Sequence, residues 1–139
     1  VQKAERILGL QGKSLRGSKV LVLGVTYKED LPDMRESPAL KVIQLFMKEG
    51  CEVEYYDPYV PSIEVQLQNQ GTYEGRQSAR LHSIPDLSGE KVGDADLVVV
   101  LTGHSCVDYE LAVQAARAVL DTRNVLPSLG GSAGKVWPL

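Results

Sequence analysis

Cysteine is scarce in this 139-residue chain: only Cys51 and Cys106 are present, with no CxxC pair and no Cys/His spacing that would hold a metal. A disulfide framework and a zinc site are therefore excluded as organising principles, and both residues read as reduced, cytoplasmic thiols. An excess of basic residues is also missing. The formal charge is -3, so there is no electrostatic footprint for nucleic acid. No apolar run approaches the roughly 18 residues of a membrane span, and no basic-then-apolar leader opens the chain. The expectation is a soluble cytoplasmic protein with neither a nucleic-acid nor a membrane partner.

One further absence concerns the turn after the first apolar strand. Residues 19–25 are rich in Val and Leu and run into Gly24, as in a nucleotide-binding fold, but the glycine-rich phosphate turn expected next never arrives. A loop of mixed charge takes its place: Lys28, Glu29, Asp30, Asp33, Arg35 and Glu36, then Ser37-Pro38.

With 43% hydrophobic and 24% charged residues, the composition is that of a globular domain long enough to bury a core. Residues 19–25 alternate little, the pattern of a strand covered on both faces. Ser37-Pro38 supplies a hydroxyl N-cap and a proline for the first helical position. Leu40, Val42, Ile43, Leu45, Phe46 and Met47 then follow at helical spacing up to Gly50. Residues 51–56 form the next strand, stopped by an Asp57-Pro58 turn. The polar region 60–77 has no clear period, and Ile63-Glu64-Val65-Gln66-Leu67 fits a short helix or an extra strand. Residues 80–84 suggest a short strand, and Ile84-Pro85-Asp86 opens a turn or helix ending before Ala95. Residues 96–102 form a second uniformly apolar strand, 109–117 a helix, and 118–122 a last strand. Strands alternating with helices predict an α/β fold: a single-domain, doubly wound, Rossmann-like parallel sheet in three layers.

The chain opens on Val1 and a stretch that reads as the end of a helix plus a polar linker, as expected of a piece of a larger protein. The expected division is a helix end and linker over 1–18, the Rossmann-like domain over 19–126, and a flexible tail rich in Gly, Ser and Pro over 127–139, where Val136-Trp137 alone could dock.

In an open parallel sheet, ligands gather at the carboxyl ends of strands. Three polar loops fall there, beginning at Thr26, Thr102 and Asp121. They direct Lys28 and Arg123 toward one crevice with Arg35 near its rim, an arrangement suited to a pyrophosphate or carboxylate. From charge pattern alone the commoner reading is blander: Lys28 and Arg35 neutralise neighbouring carboxylates in a surface loop. His104, with no partner at diagnostic spacing, reads as a loop residue bonded to backbone rather than a general base.

Four stretches shift that balance: "GVTYKEDLPDMRESPAL", "VEYYDPYVP", "ADLVVVLTGHSCVDYE" and "VLDTRNV". In this order, over residues 19–124, they make the chain resemble the C-terminal domain of the UDP-glucose/GDP-mannose dehydrogenase family, and within it the branch that oxidises UDP-N-acetylhexosamines. The resemblance implies a two-Rossmann enzyme of polysaccharide biosynthesis. Its N-terminal domain holds NAD and the catalytic cysteine, a central helical domain holds a homo-oligomer together, and the C-terminal domain closes over a UDP-sugar. It further implies that Tyr27, Lys28 and Arg123 contact the UDP-sugar and that Arg35 reaches NAD across the interdomain cleft. Neither cysteine here matches the nucleophile, so the chain is assigned no catalytic residue and no metal, and is expected to be inactive alone. Pro32, Asp33 and Met34 depart from the usual family wording. Two rivals remain, a stand-alone sensory or protein-docking domain and a hydrolase using His104.

Overall fold

The first strand, β1 (Lys19–Leu23), is buried on both faces after its opening lysine. Leu21 and Leu23 enter one apolar cluster while Val20 and Val22 enter another. A strand with a core on each side needs no polar alternation, which is why the sequence shows none. A computed structural model describes residues 2–26, 37–68, 76–122 and 136–138. Around β1 lie α1 (Gln2–Leu10), α2 (Ala39–Lys48), β2 (Glu52–Tyr56), β3 (Ser62–Gln68), β4 (Arg76–His82), α3 (Gly89–Asp94), β5 (Leu97–Val100), α4 (Tyr109–Ala115), β6 (Val119–Asp121) and β7 (Val136–Pro138).

Five strands form one parallel sheet in the order β2-β1-β5-β6-β7. Ala4, Ile7 and Leu8 of α1 and Ala39, Ile43 and Phe46 of α2 cover one face. Val92 of α3 and Ala112 and Val113 of α4 cover the other, giving the expected three layers. The spacing of Ala39, Ile43 and Phe46 puts them on one side of a ten-residue helix, which owes its stability to this packing more than to its length. At the edge, β2 buries Tyr55 while Glu52 and Glu54 face water, the charged rim that discourages edge-to-edge pairing.

Several details refine the sequence reading. The undecided segment 63–67 is a strand: β3 pairs antiparallel with β4 from Ser62↔His82 to Gln68↔Arg76, and Ile63 and Val65 alternate inward onto the core beside α2. The short strand expected at 80–84 is thus the end of this hairpin, outside the parallel sheet. Helix α2 starts at Ala39 because the Ser37 hydroxyl, which accepts the Ala39 N–H at 3.2 Å, also donates to the Val25 carbonyl at 2.7 Å. The opening segment, expected as a helix end and linker, forms α1 and packs into the domain through Ala4, Ile7, Leu8 and Leu15. In the tail, Val136–Pro138 is the fifth strand of the sheet. Val119↔Val136 pairing carries the sheet past the boundary expected at residue 126, and Trp137 packs against the core. No helix among the described residues is long and apolar enough to cross a membrane.

Candidate functional site at the strand carboxyl ends

Strand order reverses at β1: its successor β2 lies on one side, and β5 with the later strands on the other. Such a reversal marks the place where sheets of this kind bind ligands. At its base Gly24 adopts φ +86° and donates its N–H to the Tyr56 carbonyl at 3.0 Å. A Cβ on Gly24 would lie 2.5 Å from the Thr102 carbonyl oxygen. The missing side chain lets the chain leaving β5 cross over β1, with the Leu101 and Thr102 N–H groups both reaching the Leu23 carbonyl. Gly24 thus serves packing between two strand ends.

Beyond Gly24 the backbone is pinned residue by residue. Val25 N–H donates to Asp57 Oδ2 at 2.8 Å, and the Val25 carbonyl accepts from Ser37. The Thr26 carbonyl accepts from the Thr102 hydroxyl, and Thr26 Oγ1 lies 3.2 Å from His104 Nε2. Both ends of segment 27–36 are therefore fixed on a rigid stem. His104 Nε2 is also 3.0 Å from Asp57 Oδ2, and Asp57 Oδ1 accepts the Tyr59 N–H at 2.8 Å. The Tyr59 ring lies against the imidazole at a centroid distance of 4.7 Å. His104 has no exposed surface, so it cannot meet a substrate as a base, which removes the physical ground for a hydrolase built on it. Its ring bonds to the Asp57 carboxylate and the Thr26 hydroxyl, side-chain partners that the sequence did not indicate.

Over this stem sits a cleft of about 290 Å³ lined by Thr26, Ser37, Pro38, Ala39, Val42, Leu101 and Thr122. None of these seven carries a charge. A second cleft of about 140 Å³ lies by Lys19 and Ala95, at the amino ends of the strands. Lys91 and Glu54 pair there at 3.7 Å. Tyr27, Lys28, Arg35 and Arg123 lie outside the described residues. Their flanking positions are informative: Thr26 and Ser37 bracket the first three, Thr122 precedes the fourth, and all three line the same cleft.

Cys51 is buried with its Sγ donating to the Leu15 carbonyl at 3.1 Å, and burial pushes its thiol pKa up, with Glu49 adding to the effect. Cys106 is exposed. Among the described residues no group of three His, Cys, Asp or Glu could hold a metal ion. The residues that sequence reasoning missed are Asp57, taken as part of a turn, and His104, taken as a loop residue. Their signal was position only, each following a strand at its carboxyl end.

Comparison with known families decides what such an edge belongs to. Residues 21–128 match the family model described as "UDP-glucose/GDP-mannose dehydrogenase family, UDP binding domain". The chain belongs to this family. A UDP-N-acetyl-D-glucosamine 6-dehydrogenase of Salmonella typhi is 32% identical over 94 residues, covering 68% of this chain and 19% of that protein. A UDP-N-acetyl-D-mannosamine dehydrogenase of Methanococcus vannielii is 30% identical over 125 residues, 84% of this chain and 25% of that protein. Among solved structures, a UDP-D-ManNAc dehydrogenase from Pyrococcus horikoshii superposes with a TM-score of 0.66 at 25% identity, over 96% of this chain and 28% of that one. The chain thus spans about a quarter or less of the length of these curated relatives and corresponds to their UDP binding domain.

Proposed function

We propose that this chain is the substrate-binding C-terminal domain of an NAD-dependent nucleotide-sugar 6-dehydrogenase. The parent enzyme is a cytoplasmic homo-oligomer that oxidises C6 of a UDP-sugar, a UDP-N-acetylhexosamine or UDP-glucose, to the uronic acid for polysaccharide biosynthesis. The observation that carries this reading is the UDP-binding-domain match over residues 21–128, which includes all seven residues lining the cleft, among them Thr26, Ser37, Leu101 and Thr122. On this reading Tyr27 packs against the UDP-sugar, Lys28 supplies a mobile point charge to its phosphate oxygens, and the planar fork of Arg123 makes a bidentate contact. The apolar floor of Pro38, Ala39, Val42 and Leu101 gives carbon-bearing parts of the ligand a surface without competing charge.

NAD does not fit this strand-to-helix turn. The Cβ-free space at Gly24 is occupied by Thr102, and the first backbone N–H of α2 is taken by the Ser37 hydroxyl. The proposal therefore assigns the cofactor to the family's N-terminal domain, with Arg35 alone of these residues reaching it.

The test is turnover by the full-length protein. With NAD it should form NADH from UDP-N-acetylglucosamine or UDP-glucose, followed at 340 nm, and a purified, folded enzyme inert toward every UDP- and GDP-sugar would refute the proposal. Lys28→Ala or Arg123→Ala removes a charge-assisted contact worth about 1.5–3 kcal/mol, so KM for the sugar should rise roughly tenfold or more. Arg35→Ala should raise KM for NAD more than KM for the sugar.

A further inference from the structure

Asp57 and His104 form a buried polar pair that touches neither the cleft nor solvent, with 1% and 0% of their surfaces exposed. Burying two such groups is costly unless their polar atoms are satisfied, and an apolar pair could fill the same space. Their placement suggests what they do. Asp57 follows edge strand β2, His104 lies four residues past the end of β5, and β1 runs between them. The contact at 3.0 Å therefore bridges over the exit of β1, and the same two groups hold that exit: Val25 through its N–H on Oδ2, Thr26 through its hydroxyl against Nε2. A carboxylate only accepts, so the bond to Asp57 requires the imidazole hydrogen on Nε2. Neighbouring groups complete the frame, with Tyr59 N–H on Oδ1, the Tyr59 ring on the imidazole, and the Asp57 N–H donating to Ser83 Oγ at 3.0 Å.

We infer that Asp57 and His104 are positioning residues for substrate recognition, holding Val25-Thr26 in register so that the loop beginning at Tyr27 presents Lys28 to the UDP-sugar. The inference rests on the substrate reading proposed above. Thr26 is two residues from Lys28, close enough that a shift of about 1 Å at the stem would move the loop's charge out of contact, a displacement of the size that costs orders of magnitude elsewhere. The paired register of β1 with β2 and β5 ends at Leu23, and the Gly24 N–H on the Tyr56 carbonyl adds one backbone bond beyond it, so Val25 and Thr26 are held by the side chains of Asp57, His104 and Thr102.

Three variants of the full-length enzyme test it, with Tm, kcat and KM for UDP-N-acetylglucosamine and NAD measured for each, and UDP affinity by calorimetry. His104→Phe keeps a ring against Tyr59 and loses the donor to Asp57, whereas His104→Gln keeps an N–H in reach of Asp57 and loses the ring. Thr26→Val deletes the hydroxyl beside Nε2 with little change of shape. The expected result is a sugar KM raised about tenfold in His104→Phe, a matching loss of UDP affinity, kcat within about twofold, NAD KM unchanged, and rescue to within about threefold of the parent in His104→Gln. Thr26→Val should move the same constants in the same direction and carries the test alone if His104→Phe does not fold. A fall in Tm with the sugar KM and UDP affinity within twofold of the parent would overturn the inference and leave the pair a structural one. A parent that neither binds UDP nor oxidises a UDP-sugar overturns the substrate reading and this inference together, while an active parent with indifferent variants overturns the inference alone.

Discussion

Replacing Gly24 with alanine separates two costs that usually arrive together. At φ +86° an L residue is strained whatever surrounds it, at about 1–2 kcal/mol. The added Cβ would also lie 2.5 Å from Thr102 O, 2.6 Å from Thr102 Cβ and 2.9 Å from Thr102 N. Those are backbone or backbone-proximal atoms of a residue tied to the Leu23 carbonyl, so no flexible side chain can swing away. Relief requires β1 and the β5 exit to part, an overpacking cost of about 1–3 kcal/mol more. Gly12 provides the control: its φ is +74°, and a Cβ there would meet nothing within 4 Å. Gly12→Ala should therefore cost about 1–2 kcal/mol and Gly24→Ala about 2–5 kcal/mol, a large share of the 5–15 kcal/mol that a domain has. Urea denaturation followed by circular dichroism measures both, and at roughly 3–5 °C per kcal/mol the Gly24 variant should melt on the order of 10 °C lower. Equal losses in the two variants would refute the close approach of β5 to β1 on which the crevice geometry depends.

Asp96 and Tyr55 give stability its pH limits. Burial pushes the Asp96 carboxyl up, but Lys13 Nζ, the Lys19 N–H at 2.8 Å and Arg117 at 3.2 Å outweigh it and hold its pKa below the usual 3.8. Its contribution is therefore present above about pH 4 and lost as pH falls through the depressed value. Asp96→Asn should cost about 1–3 kcal/mol at pH 7, a gap that narrows at pH 3 in urea titrations; a gap independent of pH would contradict the assignment. Tyr55 is buried, its hydroxyl donating to the Val60 carbonyl at 2.9 Å, and desolvation, with Asp57 adding, pushes its pKa up to about 12 despite an opposing hydrogen bond involving Ser83. A raised pKa favours the neutral phenol of the fold, so stability is complete below pH 10 and drains away between pH 10 and 12. Tyr55→Phe should lose about 1 kcal/mol at neutral pH and flatten that alkaline slope by one proton, measured by urea melts across the range.

β1 and β5 were legible because a strand buried on both faces advertises itself as an unbroken Val/Leu run, and α2 because its apolar spacing follows a Ser-Pro start. The β3–β4 hairpin was half legible. Ile63-Glu64-Val65-Gln66-Leu67 alternates as a strand does, but its partner lies beyond a polar, glycine-containing segment that gives no two-residue turn signal. Of β7 only the docking of Val136-Trp137 could be read and not its strand, since three residues carry no period and the strand exists only by pairing with β6, 17 positions back in register. The same limit applied at the site. Three loops at strand carboxyl ends could be placed from the strand pattern, whereas the Asp57–His104 contact spans 47 residues and depends on the order β2-β1-β5, which sequence spacing does not encode.

That order explains why a loop of mixed charge can stand where related sheets carry a glycine turn. A glycine turn recognises pyrophosphate through backbone N–H groups and so needs the helix to begin at once, with its first amides free. Here the helix begins only at Ala39 and its first amide is satisfied by Ser37, so on the proposed reading the intervening segment recognises its ligand through side chains. Long cationic side chains lose about 2 kcal/mol of rotamer freedom when fixed, so a loop that uses them gains from having its own ends already ordered. The Ser37 hydroxyl on the Val25 carbonyl closes those ends, which removes the closure entropy of segment 27–36 before any ligand arrives. The buried Asp57–His104 bridge ties the closed stem to two neighbouring strands, so on the proposed reading the cost of ordering is met on folding and the charge of Lys28 is left for the ligand.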